Sequence, residues 1–141
     1  MTSQLNVDTI VDKAGSGGTN VKVANTSTYV SDGGAVTQNT VQGMIKAWGQ
    51  ISSDATPAIN DSFNLSSVTD TAVGQRTMNF ANSFSNTSYA VGACDSASGA
   101  VASASHMQLA SAATGTLLLR TFNNGDYADT FLTYLISGDL A

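Results

Sequence analysis

The sequence contains no glutamate: all ten acidic residues are Asp, set against five Lys and Arg. Glu, Lys and Arg are straight-chain helix formers, so their scarcity argues against helical bundles, coiled coils and alternating α/β folds. Five scattered cations and a formal net charge of −5 provide no basic stripe for a nucleic acid. No apolar run approaches the ~18 residues of a membrane span. Met1-Thr2-Ser3-Gln4-Leu5-Asn6-Val7-Asp8 lacks the basic start and apolar stretch of a signal peptide. One cysteine, Cys94, excludes an internal disulfide and a Cys-based zinc site.

What fills the 141 residues instead is Ser, Thr and Asn, 18, 17 and 11 of them. Ser and Asn compete with helix by bonding to nearby backbone, and Thr favours strands. Hydrophobic residues still make up 42%, enough for a core. The expectation is a mainly β chain of one small domain plus an arm.

The arm spans residues 1–43. Leu5, Val7 and Thr9 alternate with Asn6, Asp8 and Ile10, and Val21 and Val23 flank Lys22. Period two with Gly-rich turns between, at 14–20 and 31–34, predicts short strands. Such a β-ribbon has little of its own to bury against. It must pack on the rest of the chain, on copies of itself or on another protein.

Residues 44–141 read as a compact antiparallel β-sandwich. Ile45, Ala47, Gly49 and Ile51 share one face, with Met44, Lys46 and Trp48 on the other. A short helix over 41–48 is the alternative, since Met44 and Trp48 are also four apart. Ile59, Phe63 and Leu65 alternate with Asn60, Ser62 and Asn64, and residues 70–74 form a turn. Further strands are expected over 77–80 and 89–93, with a weak one over 106–109. The clearest pair, 116–122 and 130–136, flanks Asn123-Asn124-Gly125-Asp126, a strong turn signal. The Ala/Ser-rich stretch 96–113 is expected to be a long loop with one poor strand, or a surface packed against a neighbour.

No catalytic constellation emerges. His106 is the single histidine, and no Gly-x-Ser-x-Gly turn supports a Ser-His-Asp triad. It is expected as a surface loop residue beside Met107. Gly15-Ser16-Gly17-Gly18 lacks both the third glycine of a dinucleotide fingerprint and the Lys-Ser/Thr of a phosphate loop. Asp126 and Asp129 lack the ligand spacing of a calcium loop. Neither a metal nor another cofactor is expected. Cys94 is expected to be a buried, inert thiol and Trp48 a core residue. Tyr127 is the candidate exposed aromatic, with a flat apolar face and a hydroxyl suited to saccharide or protein surfaces.

Two stretches resemble phage virion fibre proteins. Leu5-Asn6-Val7-Asp8-Thr9-Ile10, followed by a Gly/Ser turn and Thr19-Asn20-Val21, resembles the Leu-Lys-Val-Asp-Thr-Ile start of tail-fibre proteins of marine phages. Lys46-Ala47-Trp48, Ile59, the run 62–70 from Ser62 to Asp70, Gly74, Thr77-Met78-Asn79-Phe80 and Tyr89-Ala90-Val91 resemble the C-terminal β domain of the same group. The Ala/Ser-rich segment departs from that pattern. The resemblance implies a non-enzymatic homotrimer on the virion, anchored to tail or capsid by its arm and ending in a β knob. Its partners would be copies of itself, other virion proteins and a host-surface saccharide or protein.

On that division of labour, Leu5, Val7, Thr9 and Ile10 are the expected particle-attachment residues. Asn123, Asn124, Asp126, Tyr127 and Asp129 form the expected receptor-contact loop, because loops on a rigid β scaffold commonly carry recognition groups. Two alternatives stand beside a tail fibre or spike: a head fibre or capsid decoration protein, and a non-viral carbohydrate-binding or adhesin module.

Overall fold

The computed structural model describes residues 27–30, 37–96 and 105–140. Every regular element there is a strand, and all pairings are antiparallel. The chain divides into two units, Met1–Val41 and Gln42–Ala141, where the sequence places a boundary between Gly43 and Met44. In the first unit, β1 (Thr28–Val30) pairs with β2 (Thr37–Asn39), and the Tyr29 and Val30 side chains are exposed. The strands expected around Leu5–Ile10 and Val21–Val23 lie outside the described residues, as do the four expected attachment residues.

Among its described residues, the second unit holds nine strands in two sheets. They are β3 (Ile45–Ile51), β4 (Ile59–Phe63), β5 (Leu65–Ala72), β6 (Gln75–Phe80), β7 (Ala90–Ser96), β8 (Ser105–Ala112), β9 (Thr116–Asn123), β10 (Asp126–Tyr127) and β11 (Phe131–Ser137). One sheet runs β4-β3-β11-β7. The other runs β5-β6-β9-β8, with the two-residue β10 continuing the β6 side of β9. The inward residues of the central strands meet in one core: Ala47 and Ile51 of β3, Leu132, Tyr134 and Ile136 of β11, Met78 and Phe80 of β6, Leu117 and Leu119 of β9. Phe84, in the connection after β6, closes one end with Phe80 and Tyr89 at 5.1 and 4.6 Å between ring centroids. Burial of every second residue along β6, β9 and β11 is the period-two signal made physical.

Several expectations change in the folded chain. The segment 41–44 is turn and bend and β3 follows directly, so the helical alternative over 41–48 is not formed. Ala47, Gly49 and Ile51 face inward, but Ile45 is exposed. A bulge in the β3–β11 ladder pairs Ser137 with Ile45 after Ile136 with Ala47, which breaks the alternation and buries Lys46 instead. Trp48 is half-buried on the outer face, opposite Leu135 and Phe63, rather than in the core. Cys94 is exposed, because its strand neighbours Ala93 and Asp95 are the residues in register with inward Tyr134 and Leu132. Ile59, Phe63 and Leu65 do not form one alternating strand. The chain leaves the first sheet for the second at Asn64, a left-handed residue with φ 57°. The Asn64 side chain holds that corner: Oδ1 accepts the Asn82 backbone N–H at 2.7 Å and Nδ2 donates to the Asn82 carbonyl at 3.0 Å. The Ala/Ser-rich stretch supplies a full eight-residue strand, β8, along the whole outer edge of β9.

The two clearest sequence strands are also not a hairpin. Asn124 and Gly125, with φ of 54° and 93°, form a two-residue turn that returns the chain as β10 against β9. Residues 128–130 then cross to the other sheet, where β11 lies between β3 and β7.

The crossing is fixed by a polar end of the core. Arg76, on the inward side of β6 and 1% exposed, donates from Nη1 to the Thr130 carbonyl at 2.6 Å. Its Nη2 lies 3.6 Å from Asp129 Oδ1. The same carboxylate oxygen accepts the Gly74 backbone N–H at 2.8 Å. Gly74 has φ +65°, and a Cβ there would lie 2.6 Å from the Thr121 carbonyl oxygen and 2.7 Å from the Ala128 nitrogen.

Candidate functional site

The two outer faces of this unit differ in chemistry. On the four-stranded sheet, Phe63, Trp48, Leu135 and Gly92 form one row across β4, β3, β11 and β7 in ladder register. Phe63 is 53% and Leu135 46% exposed. Beside this row, Gly92, Ala93, Cys94, Thr133, Tyr134 and Leu135 line an open depression of about 260 Å³. A second opening of about 200 Å³, lined by Val91, Ala93, Met107, Leu109 and Leu119, lies where β7 and β8 border the core.

The outer face of the five-stranded sheet is polar and aromatic. His106 on β8, Phe122 on β9 and Tyr127 on β10 stand in one cross-strand row. The His106 and Phe122 rings stack at 4.5 Å with an interplanar angle of 4°, and Phe122 stacks on Tyr127 at 4.8 Å and 29°. These separations match the strand spacing, so the rings stand upright from the sheet and cover one another's faces. Their rims, with the imidazole nitrogens and the phenol hydroxyl, carry the polar atoms.

The next row on this face is Gln108, Arg120 and Gln75. Arg120 Nε donates to Gln75 Oε1 at 3.3 Å, and its Cζ lies 5.9 Å from the centre of the Tyr127 ring. Alongside, β5 and β6 carry a hydroxyl and amide network: Thr71 and Thr77 meet at 3.1 Å, and Asn79 Nδ2 donates to Ser67 Oγ and Thr69 Oγ1 at 3.0 and 3.2 Å.

No family model matches this chain, and no curated protein and no solved structure matches it. What the site can do rests on its own geometry.

Of the five residues expected to contact a receptor, the fold brings one into this cluster. Tyr127 joins Phe122, His106 and Arg120 on the outer face. Asp126 pairs with Asn123, so both point to the opposite side of the sheet from Tyr127 and Phe122. Asn124 lies exposed in the turn itself. Asp129 is only 21% exposed and is committed to Arg76 and the Gly74 N–H, which makes it part of the crossing rather than of the exposed face. His106 lies in a strand rather than a loop.

Sequence reasoning missed Phe122 and Arg120. The signal for Phe122 was present, because a two-residue Asn-Gly turn requires residue 122 to pair with residue 127. His106 and Arg120 reach the same place through pairings between separated segments, which turn chemistry does not encode. Among the described residues, no group of three His, Cys, Asp or Glu side chains converges as a metal site would require, and no helix is long and apolar enough to cross a membrane.

Proposed function

We propose that this chain is a structural protein of a phage particle, a tail-fibre or spike subunit, and that it acts by binding rather than by catalysis. Residues 1–43 attach it to the particle, with Leu5, Val7, Thr9 and Ile10 carried on an extended segment that can add a strand to a partner's sheet edge. Residues 44–141 form the knob that meets the host surface. The resemblance of Leu5–Ile10 and of the segments between Lys46 and Val91 to virion fibre proteins supports the particle assignment.

The single observation that carries the recognition role is the outer face of the five-stranded sheet. There a ring stack, a guanidinium and two Gln amides are mounted on rigid strands beside an exposed turn. The uncharged Phe63–Trp48–Leu135 row on the opposite sheet supports self-association, for which the proposal is a homotrimer. An exposed apolar row of this kind marks an interaction surface more often than a free one.

A head fibre or capsid decoration protein is the second reading, and the same apolar row favours it, since it could equally seat the knob on a shell. A non-viral carbohydrate-binding or adhesin module would use the ring-stack face alone. Electron microscopy of purified phage particles, labelled with antibody against residues 42–141, tests these readings. Label at the tail supports the fibre assignment, and label over the shell shifts it to decoration. Particles that carry no label overturn the virion assignment.

A further inference from the structure

We propose that the outer face of the five-stranded sheet binds an acidic saccharide, with Arg120 holding the carboxylate. The inference rests on the recognition role proposed above and names the ligand class of that same face.

Arg120 is placed to do this. Its Nε is tied to Gln75 and its plane lies near the Tyr127 ring, which restrains the guanidinium before any ligand arrives. Among the described residues it forms no ion pair, and its two terminal nitrogens donate to no protein group. A guanidinium presenting two parallel N–H groups fits a carboxylate in bidentate fashion, a match that a Lys ammonium cannot reproduce.

The other described cations are not available for this purpose. Arg76 is sealed against Asp129 and Thr130, and Lys46 is 7% exposed. The nearest acidic residue of the turn, Asp126, points to the other side of the sheet and does not compete for Arg120.

The surroundings select a sugar over other anions. Gln75, Gln108, the His106 ring nitrogens and the Tyr127 hydroxyl offer donors and acceptors of the kind that pair with ring hydroxyls. Because Phe122 is covered on both sides, the site has polar rims rather than a flat apolar floor. That disfavours a purely hydrophobic ligand. A densely charged polyanion such as a nucleic acid is disfavoured as well. The chain carries a net charge of −5, and one guanidinium cannot offset repeated phosphates. A saccharide with one carboxylate per repeat places its charge on Arg120 and its hydroxyls on the amides. At physiological salt, repulsion from distant Asp residues is screened beyond about 8 Å.

The test is calorimetric titration of the full chain with oligogalacturonate, its methyl ester, a sialylated trisaccharide and a sulfated dextran oligomer. At least one of the two carboxylate saccharides should bind. Methyl esterification of a bound galacturonate and Arg120→Gln should each weaken binding about tenfold or more, as expected for loss of a charged hydrogen bond. Arg120→Lys should recover only part of it. Circular dichroism should show that both variants keep the parent's β spectrum. Binding of neither carboxylate saccharide, or binding unchanged in Arg120→Gln, overturns the proposal. Tighter binding of the sulfated oligomer than of either carboxylate overturns the carboxylate assignment.

A parallel measurement, adsorption of the fluorescently labelled chain to host cells, separates this inference from the recognition role. Adsorption that survives both excess acidic saccharide and Arg120→Gln defeats the ligand assignment and leaves recognition standing. Failure of the parent chain to adsorb at all defeats recognition, and with it the inference.

Discussion

Gly49 and Tyr134 face one another across the β3–β11 ladder, and the phenol ring occupies the space that a side chain at residue 49 would need. A Cβ on Gly49 would lie 2.8 Å from Tyr134 Cε1 and 3.1 Å from its hydroxyl oxygen. Tyr134 is 1% exposed and packed between the two sheets, so the ring has little room to retreat. Gly49→Ala should therefore destabilise the protein by about 1–3 kcal/mol, the usual cost of overpacking a close-packed core. Equilibrium denaturant unfolding measures this. A variant as stable as the parent would show that the ring can shift at no cost.

The Tyr134 hydroxyl is buried without a hydrogen-bond partner among the described residues. Burial raises its pKa above the ordinary value of 10.0, because the phenolate would lose its hydration. The unfolded chain releases this proton near pH 10 while the folded chain retains it. Stability from the neutral phenol is thus complete below pH 10 and falls as pH rises above it. Tyr134→Phe should leave stability at pH 7 unchanged or slightly raised, since it removes an unsatisfied polar atom. It should also flatten the decline of unfolding free energy between pH 10 and 11. An alkaline decline as steep as the parent's would assign it to other groups.

Arg76 and Asp129 hold the crossing between the sheets, and the pair is asymmetric: Arg76 is almost fully buried and Asp129 one-fifth exposed. Removing the carboxylate leaves a buried guanidinium without its counter-charge. Asp129→Ala should cost about 3 kcal/mol, in the range for breaking a buried ion pair. Combining it with Arg76→Met should recover part of that loss, because the stranded charge is gone. A double variant less stable than Asp129→Ala alone would contradict this account.

Two glycines with positive φ should respond differently to alanine. At Gly125, φ is +93° and nothing lies within 4 Å of the added Cβ, so Gly125→Ala carries only backbone strain, about 1–2 kcal/mol. At Gly74 the same strain is joined by collisions with the Thr121 carbonyl and the Ala128 nitrogen, both backbone atoms. Gly74→Ala should be the more damaging, by a further 1–3 kcal/mol or about that much. Thermal unfolding of the two variants side by side checks the order. Equal midpoints would mean that the crossing yields to the new methyl.

The sequence by itself determined what local chemistry controls. The lack of Glu and the alternation through Met78-Asn79-Phe80, Leu117-Leu118-Leu119 and Leu132-Thr133-Tyr134 pointed to the β structure that the described residues adopt. Asn124-Gly125 set a two-residue turn, because the paired positive φ values of such a turn are tolerated by few residue types. These signals act over two to four residues and survive without knowledge of partners. Tertiary structure decided everything that alternation leaves open. A period of two defines two faces of a strand without saying which is inward, and so Trp48 and Cys94 lie outside, opposite the expectation of burial. Strand partners were also open. The runs 116–122 and 130–136 look like a hairpin, yet they belong to different sheets because residues 128–130 are captured by Arg76, Gly74 and Thr121. His106, Phe122, Tyr127 and Arg120 come together only through the β8–β9 and β9–β10 registers. The candidate site is therefore a product of pairing between separated segments, which is decided by burial across the whole sandwich and not by the residues that form the site.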